Sequence, residues 1–392
     1  MPWKANSVMN QRMELVIRAT SGERVTDLCR EYEITRTTAY KFINRYEKYG
    51  PKGLFDESKK PIHLARQTPL EIQKLILDLK RDRPTWGAAK IKEILDKKHL
   101  NHAIPVRSTI HEILDRYGLV KSRGKRRKYK ACPTPLSQVD QPNQLWCTDF
   151  KGQFRLRDRN YCYPLTITDQ YSRYLIACEG LENINQYRVR SIFEFIFKEY
   201  GLPNAIRSDN GVPFSSRSMH GLSKLNVFWM RLGIRPERIE PGHPEQNGRH
   251  ERMHRTLKEE TALIAAKNLL QQQEKFDTFR GDFNQNRPHE ALKMKTPSEI
   301  YRPSQKFYPT VLPEPDYPLH DYTKRVSQCG SVVLKNRQRI FLTESLGGEL
   351  VGLREEDDGI WRVSFMDFDL GFCDEQTNKF TPSLPSNCPQ KV

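Results

Sequence analysis

The residues best equipped for chemistry are three acids far apart in the chain: Asp149, Asp209 and Glu251. Asp149 lies in the run Leu-Trp-Cys-Thr-Asp-Phe, residues 145–150. On a β-strand alternate side chains face opposite ways, so Asp149 shares a side with Leu145 and Cys147, and Trp146, Thr148 and Phe150 share the other. A carboxylate sunk among apolar groups is costly unless a cation answers it, and unanswered it takes up a proton. No lysine or arginine stands on that strand face, which directs the search to carboxylates that can converge with it on a metal. Asp209, in Ser208-Asp209-Asn210-Gly211, and Glu251, in Gln246-Asn247-Gly248-Arg249-His250-Glu251, are the candidates. Hard Mg²⁺ prefers oxygen ligands, and two ions about 4 Å apart can clamp the attacking and leaving oxygens of a phosphodiester displacement. Each acid alone has a plainer reading. Asp149 can be a buried structural acid, Asp209 a turn residue before Asn-Gly, and Glu251 the partner of Arg255 on a solvated helix.

The elements that must position these acids form an alternating α/β domain over 143–301. A strand is expected over 145–156, a polar turn over 157–160, its partner strand over 161–168 and a third over 174–179. A helix follows over 185–200, closed by Gly201 and Pro203. A short strand over 205–207 delivers Asp209 at its C-terminal end, the edge where ligand sites of α/β sheets gather. A helix near 218–232, a strand near 234–239 and a long helix from about 247 complete the domain. In that last helix Glu251, Arg255 and Lys258 share a polar face, and Met253, Leu257 and Ile264 are expected to form its buried stripe.

Trp146-x-Thr148-Asp149-Phe150, Ser208-Asp209-Asn210-Gly211-x-Pro213-Phe214 and Pro244-x-x-Asn247-Gly248-x-x-Glu251 together resemble the Asp-Asp-Glu signature of retroviral-integrase-like transposases of bacterial insertion sequences. Asp169-x-x-Ser172-Arg173 and Asn286-Arg287-Pro288-His289-x-Ala291-Leu292 extend the likeness across the domain. The resemblance implies a ribonuclease-H-like core in which Asp149, Asp209 and Glu251 bind two Mg²⁺ ions, with Mn²⁺ able to substitute, and catalyse strand cleavage and transfer. It also places Arg255 and Lys258 where basic residues hold the transposon end. The usual spacing between second and third acids selects Glu245. Glu251 is preferred because Asn247-Gly248 and the helix after it fix the register, whereas Glu245 lies in the entry loop. Asp169 is a reserve acid, expected to hold Arg173 or a turn. Of His243, His250, His254 and His289, at most one is expected to touch substrate.

The rest of the chain reads as machinery for nucleic acid. With 65 Lys and Arg against 48 Asp and Glu, the net charge of +17 points to a polyanion. Residues 1–60 show three short helices, the third opened by Thr35 and carrying Arg36, Thr37, Thr38, Tyr40, Lys41 and Arg45 toward solvent, as in a helix-turn-helix. A second such module over 61–120 has Arg107, Ser108 and Thr109 at the start of its third helix and a glycine stop at Gly118. Its histidines lack partner cysteines, so a zinc finger is not expected. Residues 121–142 form a basic linker in which Lys125, Arg126, Arg127 and Lys128 belong to a run of seven cations without an acid. A proline-rich linker over 302–324 leads to short strands over 325–380 that suit a small β-barrel.

The expected architecture is therefore multidomain α+β: tandem helix-turn-helix domains, a ribonuclease-H-like α/β catalytic core and a small C-terminal β-barrel. The eight scattered cysteines contain no Cys-x-x-Cys pair and read as reduced thiols. Without an apolar run of spanning length or a signal peptide, a soluble bacterial protein of the cytoplasm and nucleoid is expected, with no membrane partner. The expected function is transposition. The chain would bind double-stranded DNA at its element's terminal inverted repeats, cut it, join the freed 3′-hydroxyl to target DNA, and act as at least a homodimer. A silent DNA-binding regulator and a plain metal-dependent nuclease are the competing readings.

Overall fold

The structure is a computed structural model and describes residues 8–57, 68–100, 102–120, 137–216, 221–240, 243–334, 337 and 339–383. The basic run with Lys125, Arg126, Arg127 and Lys128 lies outside the described residues. The chain divides into two compact units, Met1–Thr68 and Pro69–Val392. In the first, α1 (Val8–Thr20), α2 (Val25–Glu31) and α3 (Arg36–Tyr49) bury Leu15, Val16, Leu28, Ala39, Phe42 and Ile43 together. Thr35 caps α3, its hydroxyl accepting from the Thr38 backbone N–H at 3.3 Å. Arg36, Thr37 and Lys41 are exposed along α3. Arg45 is not, because it donates to the Phe55 carbonyl at 2.6 Å and pairs with Glu57 at 3.3 Å.

The second unit begins with α4 (Leu70–Asp82), α5 (Ala88–Lys98) and α6 (Arg107–Arg116) around Ile76, Trp86, Ile91, Ile110 and Leu114. Beyond α6, Gly118 takes φ +67°, the left-handed turn that ends a helix at little cost only with glycine. Arg107 and Ser108 are exposed and Thr109 is half-buried. Arg107 stands 3.7 Å from Glu290.

The central sheet is built from β1 (Leu145–Phe150), β2 (Phe154–Arg155), β3 (Tyr161–Asp169), β4 (Leu175–Leu181), β5 (Ala205–Ser208) and β6 (Arg235–Arg238). The strand expected over 145–156 breaks at residues 151–153, where Gly152 takes φ +57°. β3 runs antiparallel to β1, β2 and β4, whereas β5 runs parallel to β1 and β6 parallel to β5. On one face α7 (Gln186–Tyr200) and α8 (Lys224–Arg231) pack Phe193, Phe197, Phe228 and Trp229 against Trp146, Leu165 and Ile167. On the other, α9 (Gly248–Leu257) and α10 (Leu269–Gln285) pack Met253, Leu257, Phe276 and Phe279 against Cys162, Leu175 and Cys178. Ile264, expected in that stripe, is exposed, because the helix loosens into a π turn at Lys258–Ala262 and ends before reaching it. This mixed sheet between two helical layers has the ribonuclease-H-like form.

After α11 (Pro297–Ile300) the proline-rich segment is extended but docked. Ser304 N–H donates to the Tyr200 carbonyl at 2.8 Å, Leu202 N–H donates to Lys306, and Tyr308 and Leu312 pack on the core. The C-terminal strands are β7 (Tyr322–Arg325), β8 (Ser331–Val333), β9 (Arg339–Phe341), β10 (Leu350–Asp357), β11 (Ile360–Phe365), β12 (Phe368–Asp374) and β13 (Lys379–Pro382). They correct the expected barrel. The sheet is open, in the order β13-β12-β11-β10-β7, and β8 and β9 form a separate ribbon. The apolar face of the open sheet is covered by the β8–β9 ribbon through Val332 and Ile340, with Leu222 and with Val227 and Met230 of α8 in the same cluster as Val351, Leu353, Trp361 and Phe365. Six cysteines among the described residues are free thiols. No helix among the described residues is long and apolar enough to cross a membrane.

Candidate active site

Asp149 and Asp209 are brought together by strand register. β1 and β5 pair in parallel with Leu145 opposite Ala205 and Cys147 opposite Arg207. Two residues further on stand Asp149, still in β1, and Asp209, one residue past the end of β5, so neighbouring strands spaced about 4.8 Å apart deliver both acids to one edge, close enough for the charge of Asp209 to be felt at Asp149. Local chemistry fixes the second acid. Asn210 Nδ2 donates to the Ile239 carbonyl at 2.8 Å, tying the turn to the end of β6. A Cβ at Gly211 would lie 2.9 Å from Asp209 Oδ2, so glycine is what lets that carboxylate fold against its own turn. Asp209 Oδ1 is buried without a hydrogen-bond partner.

The third acid rides on α9, which crosses the same face of the sheet. Its seat is a buried polar cluster: Thr166 Oγ1 lies 2.7 Å from His250 Nε2 and 2.6 Å from His254 Nε2, and Thr168 Oγ1 lies 2.8 Å from His250 Nδ1. Thr166, opposite Asp149 on β3, also donates to the Asp149 carbonyl at 3.1 Å. Burial holds His250 down to about 3, and His254 well below the imidazole range, so both rings are neutral. One proton arrangement then makes all four contacts hydrogen bonds: Thr168 donates to His250 Nδ1, and both Nε2–H groups donate to Thr166. This leaves His254 Nδ1 as a bare lone pair, 3.7 Å from Asp149 Oδ2.

Asp149 therefore faces acceptors and negative charge. Burial first, then the charge of Asp209 and, more weakly, that of Glu251, push its carboxyl up to about 7, against the smaller opposing effects of the Phe150 N–H and then Lys151. Burial also raises Asp209, opposed by the Gly211 N–H. Two adjoining carboxyls raised this way, one with an orphaned oxygen, form a site that calls for a cation. Asp149, His250 and His254 also place ligand atoms within 4.8 Å of one another. Both ring nitrogens of His250 are already occupied by threonines, so the carboxylates are the better donors, with His254 Nδ1 beside them. Glu251, Arg255 and Lys258 are exposed, as are Arg249 and Arg252, so one side of α9 is a row of cations flanking Glu251. The side chain of Glu245, in the turn Pro244–Asn247 before α9, lies outside the described residues.

Sequence reasoning missed two supports of this site. The His-Thr cluster was visible as His250-x-x-x-His254, one face of a helix, and as Thr166-x-Thr168, one face of a strand. The other is Arg207, two residues before Asp209, which donates to Glu237 Oε1 of β6 at 2.5 Å and to the Gln246 carbonyl at 3.3 Å, the latter anchoring the entry to α9. Ser137 completes the pair by donating to the other Glu237 oxygen. Both charged side chains are 3% exposed. Glu237→Ala strands a buried guanidinium and should cost about 3 to 5 kcal/mol, read as a lowered denaturant midpoint. Asp169, the reserve acid, is absorbed by its turn, accepting from Asn143 N–H, Ser172 N–H and Ser172 Oγ at 2.6 to 2.8 Å.

The chain matches family models described as integrase core domain over residues 139–244 and 232–297. It also matches models described as helix-turn-helix domain over 11–62 and homeodomain-like domain over 38–114. It is 25% identical over 235 residues to an uncharacterized 31.7 kDa protein of insertion element IS407 from Burkholderia multivorans, covering 57% of this chain and 78% of that protein. An uncharacterized 39.2 kDa protein of insertion element IS476 from Xanthomonas euvesicatoria is 26% identical over 197 residues, 47% of this chain and 53% of that one. The Pol polyprotein of feline endogenous virus ECE1 is 32% identical over 122 residues, 31% of this chain but only 11% of the polyprotein. Among solved structures, the HTLV-2 integrase catalytic core domain in complex with magnesium superposes with a TM-score of 0.33 at 17% identity, covering 41% of this chain and 98% of that one.

Proposed function

We propose, from the premise that this chain is by family an insertion-sequence transposase of the retroviral-integrase type, that it binds the terminal inverted repeats of its element, cuts DNA there and joins the freed 3′-hydroxyl to target DNA. The observation that carries this reading is the parallel pairing of β1 and β5, which brings Asp149 and Asp209 to one edge, with the helix of Glu251 seated on β3 beside them and the charges of Asp209 and Glu251 both felt at Asp149.

Asp149, Asp209 and Glu251 would hold the divalent cations, Mg²⁺ being the ion that suits an all-carboxylate set. When bound, such ions polarise the phosphodiester and lower the pKa of the attacking water or hydroxyl. The chain's own residues do the rest. The neutral His250 and His254 fix α9 against β3 and thereby fix Glu251 against Asp149. Arg249, Arg252, Arg255 and Lys258 line the exposed side of α9, where they can hold phosphates near the reacting bond. In the first module Arg36, Thr37, Thr38 and Lys41 would meet DNA from α3, and in the second Arg107, Ser108 and Thr109 from α6. Lys125, Arg126, Arg127 and Lys128 would track the backbone, making binding steeply salt-dependent. Two ends must be brought together before joining, so the active form is at least a dimer on DNA.

A pre-cut end duplex incubated with the full chain, Mg²⁺ and supercoiled plasmid tests the reading. Plasmid carrying a covalently joined end is the expected product. Nicking without joining would identify a nuclease, and a mobility shift without reaction a binding protein.

A further inference from the structure

The helix that carries Glu251 does not stop at the site. Its π turn, Lys258–Ala262, brings Glu260 to the loop between α4 and α5 of the second three-helix module. Thr85 Oγ1 donates to Glu260 Oε1 at 2.6 Å, and Arg287 Nη1 donates to the same oxygen at 2.8 Å while reaching Thr85 Oγ1 at 3.4 Å. Two residues before Thr85, Arg83 pairs with Asp282 of α10 at 2.5 Å. The clamp is buried on the catalytic side, where the Arg287 side chain is 7% exposed and that of Asp282 12%, and opens toward solvent at Glu260, 24%, and Arg83, 38%. Nearby Lys90 of α5 is buried enough that its ammonium is held down to about 7, by burial and by the charge of Arg287. Ion pairs of this kind add little net stability but fix one geometry against others. Nine residues of helix at about 1.5 Å each put the clamp about 14 Å along the axis from Glu251.

We propose that Thr85, Glu260 and Arg287 latch the second module to the catalytic helix, so that this module holds its DNA at a fixed distance from the acids and braces Glu251 in register. The idea rests on the transposase reading for its DNA, but not for the latch itself. The π turn is what turns Glu260 toward the module, a local departure from α-helix that often marks function.

The test is the double variant Arg83→Ala/Thr85→Val, which alters only the module side and leaves Arg287 paired with Glu260. Hydrogen exchange of residues 248–262 in the full chain without DNA should speed up by about tenfold or more, the factor for a lost hydrogen bond to a charged group. Thr85→Ser, which keeps the hydroxyl, should exchange like the wild type. On uncut end duplexes with Mg²⁺ the double variant should spread its cuts over neighbouring phosphates, while its end binding stays within about twofold of wild type, since no phosphate contact is removed. Unchanged exchange over 248–262 overturns the latch, whether or not the wild type cuts DNA. Faster exchange with cuts still confined to one phosphate overturns the distance-setting role. A wild type that binds ends without cutting defeats the functional reading and leaves exchange to judge the latch.

Discussion

Asparagine at position 149 should reduce cleavage and joining by more than about 100-fold, beyond the loss typical of removing a residue that merely orients a metal ligand, and should leave end binding unchanged. The same variant should alter how stability depends on pH. In the unfolded chain this carboxyl loses its proton near 3.8, and in the folded chain near 7. Between those values the native state holds a proton that the unfolded state has released, so stability falls as pH rises from about 4 to about 7. At about 1.4 kcal/mol per pH unit the fall is at most about 4 kcal/mol. Asp149→Asn should flatten that slope and be the more stable protein at pH 8 without metal. Thermal melts from pH 4 to pH 8 in chelator check this. Adding divalent cation at about 100 times its wild-type Kd should raise wild-type stability by about 2.7 kcal/mol and that of Asp149→Asn by about 1.4 kcal/mol or less.

The second large effect separates the two possible third acids. Glu251→Gln should abolish joining of a pre-cut end while sparing end binding, and Glu245→Gln should leave joining largely intact. The expectation follows from the start of α9. Gly248 opens the helix, Arg207 holds the Gln246 carbonyl, and two histidines one turn apart lock the helix to β3. Glu251, between those histidines in sequence, is carried by a fixed backbone and its charge is felt at Asp149. Loss of joining in Glu245→Gln with full joining in Glu251→Gln would reassign the third ligand.

Much of this site was legible because strands and helices repeat with short periods. The run Leu145–Phe150 put Asp149 on the face with Cys147, and the structure has Cys147 opposite Thr168 and Asp149 opposite Thr166 on that face. Thr35 as a cap and the stop at Gly118 were likewise local matters. What was not legible depended on distant partners. Arg45 looked like a solvent-facing cation until the Phe55 carbonyl and Glu57 came round to meet it. For His250 and His254 the sequence offered only that at most one of four histidines touches substrate, because their threonine partners lie more than 80 residues away in sequence. The barrel failed for the same reason. Alternation in β10, β11 and β12 predicts strands with one apolar face, and it says nothing of whether the sheet closes over that face or a separate ribbon and a helix from the core cover it.

The central claim is that Asp149, Asp209 and Glu251 act together on divalent cations. It is tested most directly by titrating Mn²⁺, followed by its free-ion EPR signal, into the full chain with end DNA and into Asp149→Asn, Asp209→Asn and Glu251→Gln. Two ions bound per active site in the wild type, with binding weakened at least about tenfold in each variant, is the result expected if all three are ligands. Wild-type Mn²⁺ binding that survives undiminished in all three variants would contradict it.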